Sequence, residues 1–188
     1  ANVMQWWELF DDEAQERLRS GLFASLEAKG IKMTLPNPDF ICIAGQPEQV
    51  THMSGTRIDH VGLSDMKRLK EAYQYFKGRC NYKSLKFGLS VKHEIKPDRR
   101  YLIVYEASLV KAVVSHLQAR YWDKSFAMKY LGLVHKPLSK PDWEVYRNPS
   151  IDSITDVHAV PRKAVDEMVQ CMSIEQAKKN IRRWITES

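Results

Sequence analysis

The chain has 188 residues, 44% hydrophobic and 28% charged, a balance that fits one globular core. No apolar run nears the ~20 residues of a membrane helix, and the acidic, amphipathic start "ANVMQWWELFDDEAQERL" lacks the basic and apolar regions of a leader, so an intracellular protein is expected. A net charge of +6 favours a polyanionic partner such as nucleic acid, while Cys42, Cys80 and Cys171 are too scattered for a disulfide framework or a zinc site.

Residues 6 to 29 predict an amphipathic helix: Trp7, Phe10, Ala14, Leu18 and Leu22 recur at spacings of three and four, and Gly30 supplies the stop. "IKMTL" and "FICIA" predict two short strands joined through "PNPD", which leaves Asp39 at the mouth of the second. Residues 45 to 62 read as loop, "SDMKRLKEAYQYFK" as a helix capped by Ser64, and "SLKFGLSVKHE" as strand. The segment "YLIVYEASLVKAVVSHLQARYW" could open as a buried strand, but Leu102, Leu109, Val113 and Leu117 suit a helix. Pro97 and Asp98 stand at a plausible entry, so helix is expected from about Asp98. "LGLVHK" predicts a strand, 137 to 149 a Pro-rich turn region, "SIDSITDVHAV" another strand, and Pro161 and Ser173 open two last helices. No internal repeat or linker divides the chain, so one domain over 1–188 is expected, of class α/β (α+β), with a sheet flanked by helices.

Phosphodiester hydrolysis needs a hard divalent cation held by carboxylates and a cationic group near the attacking water. A strand-mouth acid, Asp39, and a strand-end lysine, Lys92, supply two parts of that set. The usual second acid stands two residues before the lysine, in the form Asp/Glu-x-Lys, and here that place is Ser90. Glu106 can take over: on a helix begun near Asp98 it lies two turns beyond Arg99 and on nearly the same face. Lys96, Asp98 and Arg99 also suit adjacent G·C pairs, because Lys and Arg donate to guanine N7 and O6 while Asp accepts from the cytosine amino group.

Pro38-Asp39, fifty-two intervening residues, Lys92 preceded by Ser90-Val91, thirteen more, and Glu106 form a pattern. It resembles the type II restriction endonucleases that cut CCGG-containing sites, the NgoMIV-like branch of the PD-(D/E)XK nuclease superfamily. The resemblance implies a restriction-endonuclease-like central mixed β-sheet flanked by helices, and a type II site-specific deoxyribonuclease. It implies that Asp39 and Glu106 bind Mg²⁺, that Lys92 positions and activates water, and that Ser90 occupies the vacated acid position. Where the branch carries Arg-x-Asp-Arg to read the CCGG core, this chain has Lys96, Pro97, Asp98 and Arg99; the lysine lacks a planar fork for a bidentate contact. The implied partners are double-stranded DNA and a second copy of the chain, as a homodimer or a tetramer, with 5′-phosphate ends as product. His93 and Arg100 are candidates for the DNA backbone.

The branch usually carries a longer part before its first strand, often with a further metal-side glutamate; only thirty-eight residues precede Asp39 here, with Glu8 and Asp11 as candidates for that role. Pro97-Asp98, Pro141-Asp142 and Glu94 are decoys that repeat parts of the pattern. Two basic stretches, 66–86 and 178–184, and Arg57 and Lys67 through Lys70 within or near the first, are phosphate-contact candidates or solvated helix faces. The six histidines lack the paired spacing of a zinc hydrolase, and the five tryptophans read as core or subunit-interface residues.

Overall fold

The computed structural model describes residues 5–45, 62–123, 127–155 and 160–187, with the side chains of residues 64, 65, 68, 69, 72 and 98 outside that description. The expected loop at 45 to 62 and the candidate Arg57 fall almost wholly outside it.

A 3₁₀ turn, Trp6–Leu9, leads into helix α1, which runs through three contiguous stretches: Asp12–Glu16, the π-type Arg17–Phe23, and Ala24–Glu27. The single helix expected from residue 6 is therefore broken, because Asp11 caps the new start by accepting from Ala14 N at 2.9 Å. Ala14 and Leu18 are buried along its inner side, and Phe10 is buried just before it. Gly30, at φ +69°, ends it as expected: Ile31 N–H reaches back to the Leu26 carbonyl in a C-terminal cap that needs a left-handed residue. "IKMTL" forms no strand. Pro36 and Pro38 remove backbone donors beside it, and Leu35 reaches the core from irregular backbone.

The remaining elements are β1 (Phe40–Ile43), α2 (Leu63–Phe76), β2 (Leu85–Lys92), α3 (Leu102–Arg120), β3 (Lys129–Val134), α4 (Lys140–Val145), α5 (Ile151–Thr155), β4 (Glu167–Gln170) and α6 (Ile174–Thr186). Ser64 lies inside α2, and it is the Gly62 carbonyl that receives Met66 N–H at the helix entry. Residues 137–149, expected as turns, contain α4, whose capping box joins Ser139 and Asp142. The strand expected around residue 151 is α5; Asp152, bonded to Ser115 and Arg162, outweighs the β-branched content. No helix opens at Pro161, and the chain instead enters β4, while α6 starts after Ser173 as expected.

The described strands form one mixed sheet in the order β1-β2-β3-β4, with β1 antiparallel to β2 and the other pairs parallel. Helix α3 connects the parallel β2 and β3, as such a crossover requires. It packs Ile103, Ala107, Val110, Val114 and Leu117 at three- and four-residue spacing into the larger core, with Tyr130 and Val134 of β3. The opposite sheet face carries Phe87, Leu89, Leu131 and Leu133 against Trp184, Ala177 and Ile181 of α6. Trp6 and Trp184 are core residues, whereas Trp122 is almost fully exposed. None of the described helices is long and apolar enough to cross a membrane.

Candidate active site

Strand periodicity assembles the site. Leu89 of β2 faces α6, so Ser90 turns to the α3 side, and Lys92 follows it two residues on. Phe40 lies opposite Leu89 in the antiparallel register, which brings Asp39 alongside Ser90 at the end of β1. Asp39 Oδ2 accepts from Lys92 Nζ at 2.8 Å, from Val91 N at 2.7 Å and from Ser90 Oγ at 3.3 Å. Glu106, in the second turn of α3, comes down on the same spot: its Oε2 lies 3.3 Å from Ser90 Oγ and accepts from Tyr130 Oη at 3.2 Å. The structure thus brings Asp39, Ser90, Lys92 and Glu106 together.

Electrostatics separates the two carboxylates. Burial works to raise the Asp39 pKa, but the hydrogen bond from Lys92, the Val91 N–H and the Lys92 charge outweigh it and hold Asp39 below the usual range. Glu106, only 8% exposed, is pushed up, chiefly by burial and further by the Asp39 charge, against Lys92, Tyr130 and Ser90. The single hydroxyl proton of Ser90 can serve only one of the two acids at a time.

The donor set fits a hard cation. Among the described residues, every donor to Asp39 goes to Oδ2 and both donors to Glu106 go to Oε2, so each acid keeps its other oxygen for a ligand. No group of three or more His, Cys, Asp or Glu forms a ready cage among the described residues. A cation here would rest on the two carboxylates and complete its shell with water and substrate phosphate, the usual manner of Mg²⁺.

A pH prediction follows from Glu106. Its pKa is higher in the folded than in the unfolded chain, so the fold binds its proton more tightly, and stability is lost as pH rises through the interval between those values. Glu106→Gln is expected to melt with the parent near about pH 4 and above it near about pH 8. Thermal scans at both pH values check this; equal melting temperatures at the higher pH contradict it.

The candidate base-reading residues sit close by but not as expected. Pro97–Arg99 is a separate 3₁₀ turn, and Arg100 and Tyr101 divide it from α3, so Arg99 and Glu106 do not share one continuous helix face. Pro97 supports the local turn. Even so, Lys96, Arg99 and Lys92 line one groove of about 260 Å³, with Glu94, Ile95, Leu102 and Ile103. The side chain of Asp98 lies outside the described residues. His93 stacks on His135 with ring centroids 5.0 Å apart. Arg100 turns to the buried Asp142, donating Nε to Oδ1 at 2.6 Å, which explains the Pro141-Asp142 decoy as a helix cap. Glu94 pairs with Lys136. Glu8 closes the cap of the first 3₁₀ turn and pairs with Lys77 at 3.1 Å, and Asp11 caps α1, so neither joins Asp39 and Glu106. Sequence reasoning passed over Tyr130; its one signal is a tyrosine at the start of the apolar run Leu131–Val134 of β3.

A model of the Cfr10I/Bse634I restriction endonuclease family matches residues 1–187. The chain belongs to that family. A Cfr10I/Bse634I relative, the type II restriction enzyme Cfr10I of Citrobacter freundii, is 30% identical over 157 residues, covering 81% of this chain and 55% of the relative. Among solved structures, the type IIF restriction endonuclease Bse634I with cognate DNA superposes with a TM-score of 0.85 at 26% identity, over 95% of this chain and 61% of that one. A second structure titled Bse634I restriction endonuclease has a TM-score of 0.85 at 27% identity. The fold is therefore that of the restriction endonucleases, and the chain spans between half and two thirds of the length of these relatives.

Proposed function

We propose that the chain is the nuclease part of a Mg²⁺-dependent type II restriction endonuclease, acting on double-stranded DNA at a palindromic site with a CCGG-type core. The observation that carries this is the meeting of Asp39, Lys92 and Glu106 around Ser90, with both carboxylates keeping one oxygen clear of hydrogen bonds. Family membership and the likeness to a relative solved with its cognate DNA support it. When bound, the cation supplies Lewis-acid stabilisation of the charge that develops on the phosphate.

The side chains have separate tasks. Asp39 and Glu106 would hold the cation. The Lys92 ammonium, kept at the strand end by Asp39, would stabilise negative charge at the scissile phosphate and orient the attacking water. Ser90 lends its hydroxyl to whichever acid needs it. In-line attack on phosphorus expels the 3′-oxygen and leaves a 5′-phosphate. Lys96, Asp98 and Arg99, at the adjoining groove, would read the G·C core, with Arg99 as the bidentate guanine contact. Such a site would place the protein in the NgoMIV-like, CCGG-cutting branch. With one site per chain, a palindrome requires at least a homodimer, so that each strand meets its own site; a tetramer is compatible. The enzyme would act inside the cell, where foreign DNA is met, and the nuclease fold would occupy 1–188 as one domain.

A digest of long duplex DNA with Mg²⁺, with the ends sequenced, tests the reading. The expected result is discrete cuts at CCGG-containing sites with 5′-phosphates. Arg99→Ala is expected to lower cleavage at such sites by about one to two orders of magnitude, from a loss of about 1–3 kcal/mol. Cuts without sequence preference discard the reading motif, and DNA binding without any cleavage discards the nuclease.

A further inference from the structure

We propose that Tyr130 is a positioning residue for Glu106: its hydroxyl holds Oε2, so that Oε1 is the oxygen offered to the cation. The inference rests on the nuclease reading above and assigns a task to a residue outside the Asp39, Lys92 and Glu106 set. Tyr130 is fully buried, yet its phenol is aimed at a carboxylate rather than left in the apolar core. A buried hydroxyl needs an acceptor, and Tyr130 Oη donates to Glu106 Oε2 at 3.2 Å.

Contacts of its backbone with Asp166 and of its ring with Gly88 hold Tyr130 in place. The backbone N–H of Tyr130 donates to Asp166 Oδ2 at 2.6 Å, and the Asp166 N–H returns a bond to the Tyr130 carbonyl at 2.8 Å. Asp166 is itself held by Lys111 Nζ at 2.7 Å. The ring then lies across Gly88, its register partner in β2; a Cβ at Gly88 would meet ring carbons at 3.0 and 3.1 Å. The glycine gives the ring its seat, which a side chain there would take away. A tyrosine hydroxyl carries one donor proton, and here it is directed at the carboxylate.

Ser90 alone could not do this. Its single proton is shared among Asp39, Glu106 and the Tyr130 oxygen, whereas the Tyr130 hydroxyl donates to Glu106. A carboxylate held at one oxygen by a rigid donor loses rotational freedom about its last bond, and partners of this kind behind a metal ligand typically contribute about 10–100-fold in metal affinity.

The experiment is Tyr130→Phe, which removes one oxygen and keeps the ring. Mn²⁺ binding to the protein, read as free Mn²⁺ by electron paramagnetic resonance, is expected to weaken about 10-fold or more, and the Mg²⁺ concentration for half-maximal DNA cleavage to rise in parallel. The rate at saturating Mg²⁺ is expected to recover most of the parent value. Gly88→Ala, which pushes the ring without removing its hydroxyl, is expected to shift Mn²⁺ affinity in the same direction, and it serves as the test should Tyr130→Phe fold poorly. Unchanged Mn²⁺ affinity in a folded variant, with the parent cleaving DNA, overturns the positioning role alone. A parent that neither binds Mn²⁺ nor cleaves DNA overturns the nuclease reading with it.

Discussion

Lys92→Ala is expected to lower the single-turnover rate of DNA cleavage by about 10²–10³-fold, the usual cost of removing one preorganised charge from a developing anion. The ammonium lies 2.8 Å from Asp39 and lines the same groove as Lys96 and Arg99, the residues proposed to read DNA. Its loss also leaves Asp39 and Glu106 facing each other without an intervening positive charge, which raises the cost of ionising both. Glu106→Ala and Asp39→Ala are expected to fall at least as far, because in the proposed site a cation left with one carboxylate would keep little of its affinity. Duplex DNA binding, measured by gel shift without cleavage-supporting metal, is expected to persist in the lysine and glutamate variants. Cleavage by Lys92→Ala at the parent rate would remove this lysine from the chemistry.

The largest stability effect is expected far from the acids, at Lys111. Its side chain is 1% exposed and bonds both Asp166 Oδ2 and the Lys163 carbonyl at 2.7 Å. Burial lowers its pKa, against the nearby Asp166 charge. Truncation to alanine strands the carboxylate, orphans a carbonyl and opens a cavity beside α3. Removal of one partner of a buried pair costs about 3–5 kcal/mol; since Asp166 keeps some access to water, the lower end is expected. In a chain of this length that corresponds to a melting temperature lower by about 6–12 °C. Lys111→Met, which keeps the volume but not the charge, is expected to lose less. Calorimetry on both variants checks the order, and equal losses would show that the missing ammonium and its hydrogen bonds, rather than packing, set the cost.

Much of the site was legible because its parts follow local rules. An acid after Pro38, a serine and a lysine two apart on a strand, and a glutamate on the next helix are one-dimensional facts, and strand alternation sends Ser90 and Lys92 to one face wherever the strand lies. The long apolar period of α3 and the left-handed stop at Gly30 were legible for the same reason. The failures came where local preference was weak or divided. "IKMTL" and the segment around Ile151 carry β-branched residues, but pairing partners decide whether such a run joins a sheet, and these found prolines or an Asp152 network instead.

By itself, then, the sequence determined which residues make up the candidate site, the face of β2 that carries Ser90 and Lys92, and the helix that carries Glu106. Only the tertiary structure decided that Asp39 sits opposite Ser90, that Arg99 belongs to a separate turn, that Arg100 and Asp142 satisfy each other, and that Tyr130 reaches Glu106 across β2. The physical reason is sequence separation: these contacts join residues from different elements, and their geometry depends on register and packing, which no local pattern encodes.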